Sequence, residues 1–257
     1  RHVKRTTTEV VDDDFLVGVT VQAIRESGGG RLIDNLTHIQ ARNLTRILRR
    51  LSLAVVKICR HGNNRIGDRL TKAYPADVMG KGLGAAIVAA NVRSALRAAS
   101  GAFDQAGHAL DLSAAIGSVD HQLSDDLTRT DTFVTLFQAW LDTATGTVNF
   151  IDAGHGIAAL VRRTGEIEEL SSDDLPLGIS FGETWTTRQV VMNPGDILVV
   201  ASDGLLDLLG EHAVVEDAFE FLAGQASPAE LCLAVSILAK KRPLTDDVTV
   251  VALRREE

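Results

Sequence analysis

Asp77 stands directly ahead of Val78-Met79-Gly80-Lys81-Gly82-Leu83-Gly84, an acid followed by three closely spaced glycines. Glycine lets main-chain carbonyls and amides turn toward a ligand without a Cβ in the way. A carboxylate beside such a turn suits a hard cation, which takes carboxylate and carbonyl oxygens together. The same device recurs at Val199-Val200-Ala201-Ser202-Asp203-Gly204, where an apolar run ends in an acid and a glycine. Thr245-Asp246-Asp247-Val248-Thr249 then sets two acids at the entry to the last apolar run. Acids gathered at one rim of a sheet repel one another unless a cation neutralises them or their pKa values rise. An all-oxygen ligand set favours Mg²⁺ or Mn²⁺ over zinc. Two such ions can activate water and steady the oxygens of an in-line displacement at phosphorus.

Two other readings compete for the first stretch. Gly80-x-Gly82-x-x-Ala85 fits the loose dinucleotide fingerprint, which also expects an acid about 20 residues further on for the ribose. Ser100-Gly101-Ala102-Phe103 occupies that region, with Asp104 just beyond it. The third reading is a plain glycine turn capped by Asp77, since a lone Asp often begins a turn or helix.

The acids need elements to carry them. Phe15–Ile24 alternates as a strand does, and Ser27-Gly28-Gly29-Gly30 breaks it. From Asp34 to Cys59, Leu36, Ile39, Leu44, Ile47, Leu48, Leu51, Val55 and Ile58 recur at threes and fours between arginines. That spacing predicts a basic amphipathic helix, packed on its own domain or facing a partner. Leu70–Ala76 precedes Asp77, and Ala85–Ala99 has strong helix formers with no Pro or Gly. A helix over about 110–123 follows. Strands are expected over 131–141, 147–151, 157–161, 187–192, 196–201 and 248–253, with helices over 205–209, 214–223 and 228–240. Hairpins and paired helices argue for α+β with antiparallel sheets, which counts against the dinucleotide reading.

Charge is unevenly spread over the 257 residues. Residues 1–72 hold 14 Lys and Arg against 7 Asp and Glu, whereas 73–257 hold 12 against 27, for a net −8. An acidic body argues against nucleic acid as the main partner. Cys59 and Cys232 have no Cys or His at zinc spacing and read as reduced core thiols, which makes a cytoplasmic location the expectation. No run of 18 apolar residues is present, so no membrane span is expected, and the N-terminus does not read as a signal peptide.

Six short blocks occur in order: Asp77-Val78-Met79-Gly80-Lys81-Gly82, Asn149-Phe150-Ile151-Asp152-Ala153-Gly154-His155, Leu175-Pro176-Leu177-Gly178, Pro194-Gly195-Asp196, Ser202-Asp203-Gly204-Leu205 and Asp246-Asp247-Val248-Thr249. Together they resemble the metal-dependent serine/threonine phosphatase family of type 2C, in its bacterial SpoIIE/RsbU-type branch. The resemblance covers about 70–257. It implies a phosphatase domain there, with 1–69 as an extension or linker, and a four-layer αββα sandwich of two antiparallel sheets flanked by helices. It also implies a binuclear Mn²⁺ or Mg²⁺ centre. Asp77 would bridge the metals, the Val78 carbonyl would bind one of them, and Asp203 and Asp246 would complete the second site, with Asp247 the alternative to Asp246. His155 is read as the histidine of a turn after a strand, and the Leu175–Gly178 and Pro194–Asp196 blocks as structural turns.

One departure stands out. The branch carries a Gly-Gly-Asp-x-Tyr-Asp block ahead of the bridging Asp, whereas this chain reads Val55-Val56-Lys57-Ile58-Cys59-Arg60-His61-Gly62, with no acid. Gly67-Asp68 is the nearest echo. The expected function is hydrolysis of phosphoserine or phosphothreonine on a regulatory phosphoprotein, such as an anti-sigma-factor antagonist. The alternative is an impaired member of the fold serving as a binding scaffold. An upstream sensor domain or a homodimer are the further partners this pattern leaves open.

Overall fold

The architecture is a computed structural model that describes residues 19–26, 51–58, 70–79, 83–106, 111–179, 184–242 and 248–256. The chain runs β1 (Val19–Glu26), β2 (Leu51–Ile58), β3 (Leu70–Val78), α1 (Leu83–Ala106), α2 (Leu112–Thr130), β4 (Val134–Asp142) and β5 (Thr147–Ala153). It continues through β6 (Ala158–Val161), β7 (Ile167–Glu169), β8 (Arg188–Val191), β9 (Ile197–Ala201), α3 (Gly204–Leu209), α4 (Val215–Ala223), α5 (Pro228–Lys241) and β10 (Val248–Arg255).

Among the described residues ten strands form two five-stranded sheets, ordered β1-β10-β9-β6-β7 and β2-β3-β4-β5-β8. Every pairing between these strands is antiparallel. This is the expected α+β class, and among the described residues it leaves no parallel βαβ unit for the dinucleotide reading. Strand alternation sorts the side chains into layers. In β4, Phe137, Ala139 and Leu141 meet Leu198 and Val200 of β9 and Leu253 of β10 in an inter-sheet core. Phe137 and Phe150 stack there, ring centroids 5.6 Å apart. The opposite parity of β4 (Val134, Leu136, Trp140) packs under Leu112, Ile116, Val119, Leu123 and Leu127 of α2, with Val88 and Val92 of α1. Ile197, Val199 and Ala201 of β9 face Leu205, Phe219, Leu231 and Val235 of α3–α5. The layers are therefore helices, sheet, sheet, helices.

Local chemistry ends the helices where it should. Asp111 caps α2 by accepting from the Ala114 N–H at 3.2 Å, and Ser227 caps α5 by accepting from Glu230 N–H at 3.2 Å, with Pro228 in the first turn. One expectation fails. Residues 51–58 are a strand, paired along their whole length with β3, so the helix read from Asp34 to Cys59 does not extend through them. Leu51-Ser52-Leu53-Ala54-Val55-Val56-Lys57-Ile58 is rich in residues suited to a pleated surface, and sheet pairing overrides the threes-and-fours spacing. The rest of that reading, 34–50 and Cys59, lies outside the described residues. The pairings of β1 with β10 and of β2 with β3 draw two strands from the 1–69 segment into the sheets. No helix among the described residues is long and apolar enough to cross a membrane.

Candidate metal centre

The registers bring Asp77 and Asp203 to one rim of the sandwich. Val78, the last residue of β3, pairs with Val134, the first of β4. β5 runs back beside β4 and ends at Ala153 on the same rim. The chain then crosses to the other sheet through Gly154-His155-Gly156-Ile157 and enters β6, whose Ala158 pairs with Val200. The Ala201 N–H donates to the Ile157 carbonyl at 2.9 Å. The end of β9, with Asp203 just beyond it, is thus on the rim that holds the end of β3. β10 starts there too.

Side-chain parity turns this rim inward. Ala76 and Val78 pack in the helix-side core, so Asp77 between them faces the other sheet. Its register partners are Thr135 on β4 and Ser52 on β2. Asp77 is half-buried and Asp203 is exposed. Asp203 begins α3 in helical geometry without capping it by its side chain. The turn carrying it is tied to β10: the Ser202 N–H donates to the Thr249 carbonyl, and the Thr249 N–H donates to Ser202 Oγ, both at 2.9 Å. Both residues are buried. The inter-sheet core of Phe137, Leu198 and Leu253 therefore gives way at this rim to Asp77, Thr135, His155, Ser202 and Thr249.

His155 occupies the crossover. Its N–H donates to Asp152 Oδ1 at 2.7 Å, and its Nδ1 is 3.4 Å from Thr135 Oγ1. Burial pushes its pKa down to about 4, the Ala201 carbonyl acting weakly the other way. Asp152 also accepts from the N–H groups of Gly156 and Ser172, each at 3.4 Å. Burial raises its pKa despite those donors. The Leu175–Gly178 block sits against the same rim. Leu177 exchanges two hydrogen bonds with Val134, and the Gly178 N–H donates to Asp120 Oδ1 on α2 at 2.9 Å. Burial raises the Asp120 pKa, against the pull of that N–H.

The far rim is built from arginines. Asp196 is buried, bonded to Arg162 Nη1 at 2.9 Å and to the N–H groups of Arg163 and Asn193 at 3.0 and 2.8 Å. Burial alone would raise its pKa, but these donors outweigh it and hold the carboxyl below its usual range. Arg255 Nη1 reaches the Met192 carbonyl at 2.6 Å. Pro194-Gly195-Asp196 is a turn of this arginine-bonded end, far along β9 from Asp203.

The acidic rim has donors a divalent cation accepts: two carboxylates and the main-chain carbonyl of Val78. It also holds two buried polar atoms without a hydrogen-bond partner, His155 Nε2 and Thr249 Oγ1, as expected of a site completed by a further occupant. In these respects the residues fit the group. Asp246, Asp247 and Gly80–Gly82 lie outside the described residues, and among the described residues no three His, Cys, Asp or Glu cluster as a cation cage. Neither register partner of Asp77, Ser52 on β2 or Thr135 on β4, is an acid. Sequence reasoning overlooked Thr135, Ser202 and Thr249. Thr135 had no signal of its own, whereas the other two sat inside blocks already singled out for their acids.

The sequence profile described as stage II sporulation protein E (SpoIIE) matches residues 67–256. A second profile, NAD-specific glutamate dehydrogenase, matches residues 1–82, too small a share to place the chain in that family. Protein IcfG of Synechocystis sp. (strain ATCC 27184 / PCC 6803 / Kazusa) is 27% identical over 164 residues, 55% of this chain and 26% of that protein. The chain thus spans about a quarter of the length of this curated relative. Among solved structures, the RsbU and RsbW domains of Rv1364c from Mycobacterium tuberculosis align with a TM-score of 0.66 at 23% identity, over 93% of this chain and 60% of that one. The catalytic domain of the serine/threonine phosphatase PstP, crystallised with two manganese ions, aligns with a TM-score of 0.58 at 20% identity, over 93% of this chain and 100% of that one.

Proposed function

The chain belongs to the SpoIIE family of type 2C phosphatase fold, and from that premise we propose that it is a protein phosphatase dependent on Mn²⁺ or Mg²⁺. Its substrate would be phosphoserine or phosphothreonine on a regulatory protein, an anti-sigma-factor antagonist being the expected kind. The observation that carries this reading is the shared rim: Asp77 stands at the end of β3 and Asp203 just beyond the end of β9, in different sheets, and the four-residue crossover from β5 to β6 joins the two sheets on that rim.

Asp77, the Val78 carbonyl, Asp203 and Asp246 would hold the cations. Divalent metal bound there supplies Lewis-acid polarisation of water and of phosphoryl oxygens. The chain's own part is placement. Asp77 projects between the sheets beside Thr135, and the Ser202–Thr249 pair fixes the turn that carries Asp203. Asp203 is exposed, which leaves the site open to a phosphorylated side chain of another protein. The test is Mn²⁺-dependent phosphate release from a phosphopeptide or from p-nitrophenyl phosphate. Asp77→Asn and Asp203→Asn should each abolish it, and unchanged rates in both refute the assignment.

A second reading, a scaffold that kept the sandwich and lost turnover, draws on the neighbours of Asp77, which are Ser52 and Thr135 and not acids. Calorimetry with Mn²⁺ separates the two: a scaffold takes up one ion or none, a phosphatase two. Location in the cytoplasm and an upstream sensor domain or homodimer belong to the same proposal.

A further inference from the structure

Burying an imidazole without full hydrogen bonding costs a few kcal/mol in general, so a turn alone gives no reason for one at position 155. His155 is nevertheless 9% exposed, and its Nε2 has no hydrogen-bond partner. Its surroundings suggest what the ring does. Asp152 Oδ1 accepts the backbone N–H of His155 at 2.7 Å and so fixes the main chain that carries the ring. Gly154, at φ +70°, sets the crossover against Pro176. On one sheet the ring meets Thr135, the cross-strand partner of Asp77. On the other, the crossover is tied to β9 by the N–H of Ala201, two residues before Asp203, which donates to the Ile157 carbonyl at 2.9 Å. The burial that keeps the ring neutral at neutral pH also means that it adds no positive charge to a rim that must attract cations.

We propose that His155 is a positioning residue of this rim: seated in the crossover between the sheets, it sets the distance between the strand end bearing Asp77 and the strand end bearing Asp203, with Thr135 as its contact on the first. The inference rests on the phosphatase reading and assigns His155 no contact with substrate. Groups that orient metal ligands from behind typically change affinity by about 10- to 100-fold when removed. Residues acting through one contact show non-additive effects.

The experiment titrates Mn²⁺ alone into the 257-residue chain by calorimetry, for wild type, His155→Gln, Thr135→Val and the double variant, with near-UV circular dichroism to confirm folding. Thr135→Val keeps a β-branched side chain in the strand and so remains informative if the histidine variant does not fold. About tenfold weaker binding in each single variant, and no further loss in the double, is the expected result. Folded variants that bind Mn²⁺ as wild type does, or losses that simply add, overturn the proposal. Wild type that binds no Mn²⁺ overturns this proposal together with the phosphatase reading. Wild type that binds Mn²⁺ but releases no phosphate defeats the phosphatase reading alone, and the variants then still decide the role of His155.

Discussion

Ser202 and Thr249 hold each other by two main-chain-anchored bonds of 2.9 Å, one from the Ser202 N–H to the Thr249 carbonyl and one from the Thr249 N–H to Ser202 Oγ. The pair closes the ends of β9 and β10 immediately beside Asp203. Its strength lies in burial: both residues are almost fully enclosed, so neither N–H has water to fall back on.

Ser202→Ala keeps the first bond and strands the Thr249 N–H. Leaving a buried donor unsatisfied costs about 1–3 kcal/mol. The unfolding free energy should fall by that amount, read as a lower urea midpoint at an unchanged slope, since little additional surface is exposed. A midpoint equal to wild type would show that the N–H finds another acceptor.

The far rim gives the complementary case. Asp196→Ala removes the acceptor for Arg162, Arg163 and Asn193 and should destabilise by about 3 kcal/mol, the order expected when one partner of an enclosed pair is lost. Mn²⁺ affinity should not change, because β9 separates Asp196 from Asp203. The pH dependence has a fixed sign. The folded state holds the Asp196 carboxyl below 3.8, so its contribution is present above that value and disappears as pH falls through the lower folded-state pKa. The stability gap between variant and wild type should therefore close in strong acid. A gap that persists there would mean that packing, not charge, is at work.

How much of this could be read beforehand depended on length and periodicity. The apolar face of α2, with Leu112, Ala115, Ile116, Val119 and Leu123, stands out at helical spacing, although the helix runs on to Thr130. The Asp142–Gly146 turn announced the β4–β5 hairpin. Ile167-Glu168-Glu169 did not announce itself, because three residues with two acids carry no alternation, and only pairing with β6 makes them a strand. Residues 51–58 misled because their apolar positions satisfy both periods, and only the partner strand β3 decides between them. At the site, Asp77 and Asp203 were legible as acids before glycine. That they share a rim depends on the crossover at 154–157, and local sequence does not encode which sheet a strand joins.

Gly154 lies at φ +70°, in the left-handed region, and an added Cβ would come within 2.7 Å of Pro176 Cγ and 2.9 Å of its Cδ. The proline ring is rigid and cannot swing aside. Gly154→Ala thus combines backbone strain with a clash, about 1–3 kcal/mol for the strain alone. Because the crossover would have to shift, phosphate release should fall more steeply than stability does. An alanine variant with wild-type melting and turnover would mean that the Leu175–Gly178 block moves freely.

His155 gives a separate pH signature in metal-free protein. Its pKa is about 4 when folded against 6.5 as the ordinary value, so between those limits the unfolded chain holds a proton that the folded one lacks. Stability is then fully present above about pH 6.5 and declines as pH falls toward 4. One proton corresponds to a slope of at most about 1.4 kcal/mol per pH unit. Urea titrations between pH 6.5 and 5 should show this contribution as the difference between wild type and His155→Gln, in which the titration of Asp120, Asp152 and the other six histidines cancels. Equal slopes in the two proteins would mean that the ring takes up its proton in the folded state as readily as in the unfolded chain, and that burial beside Thr135 does not keep it neutral.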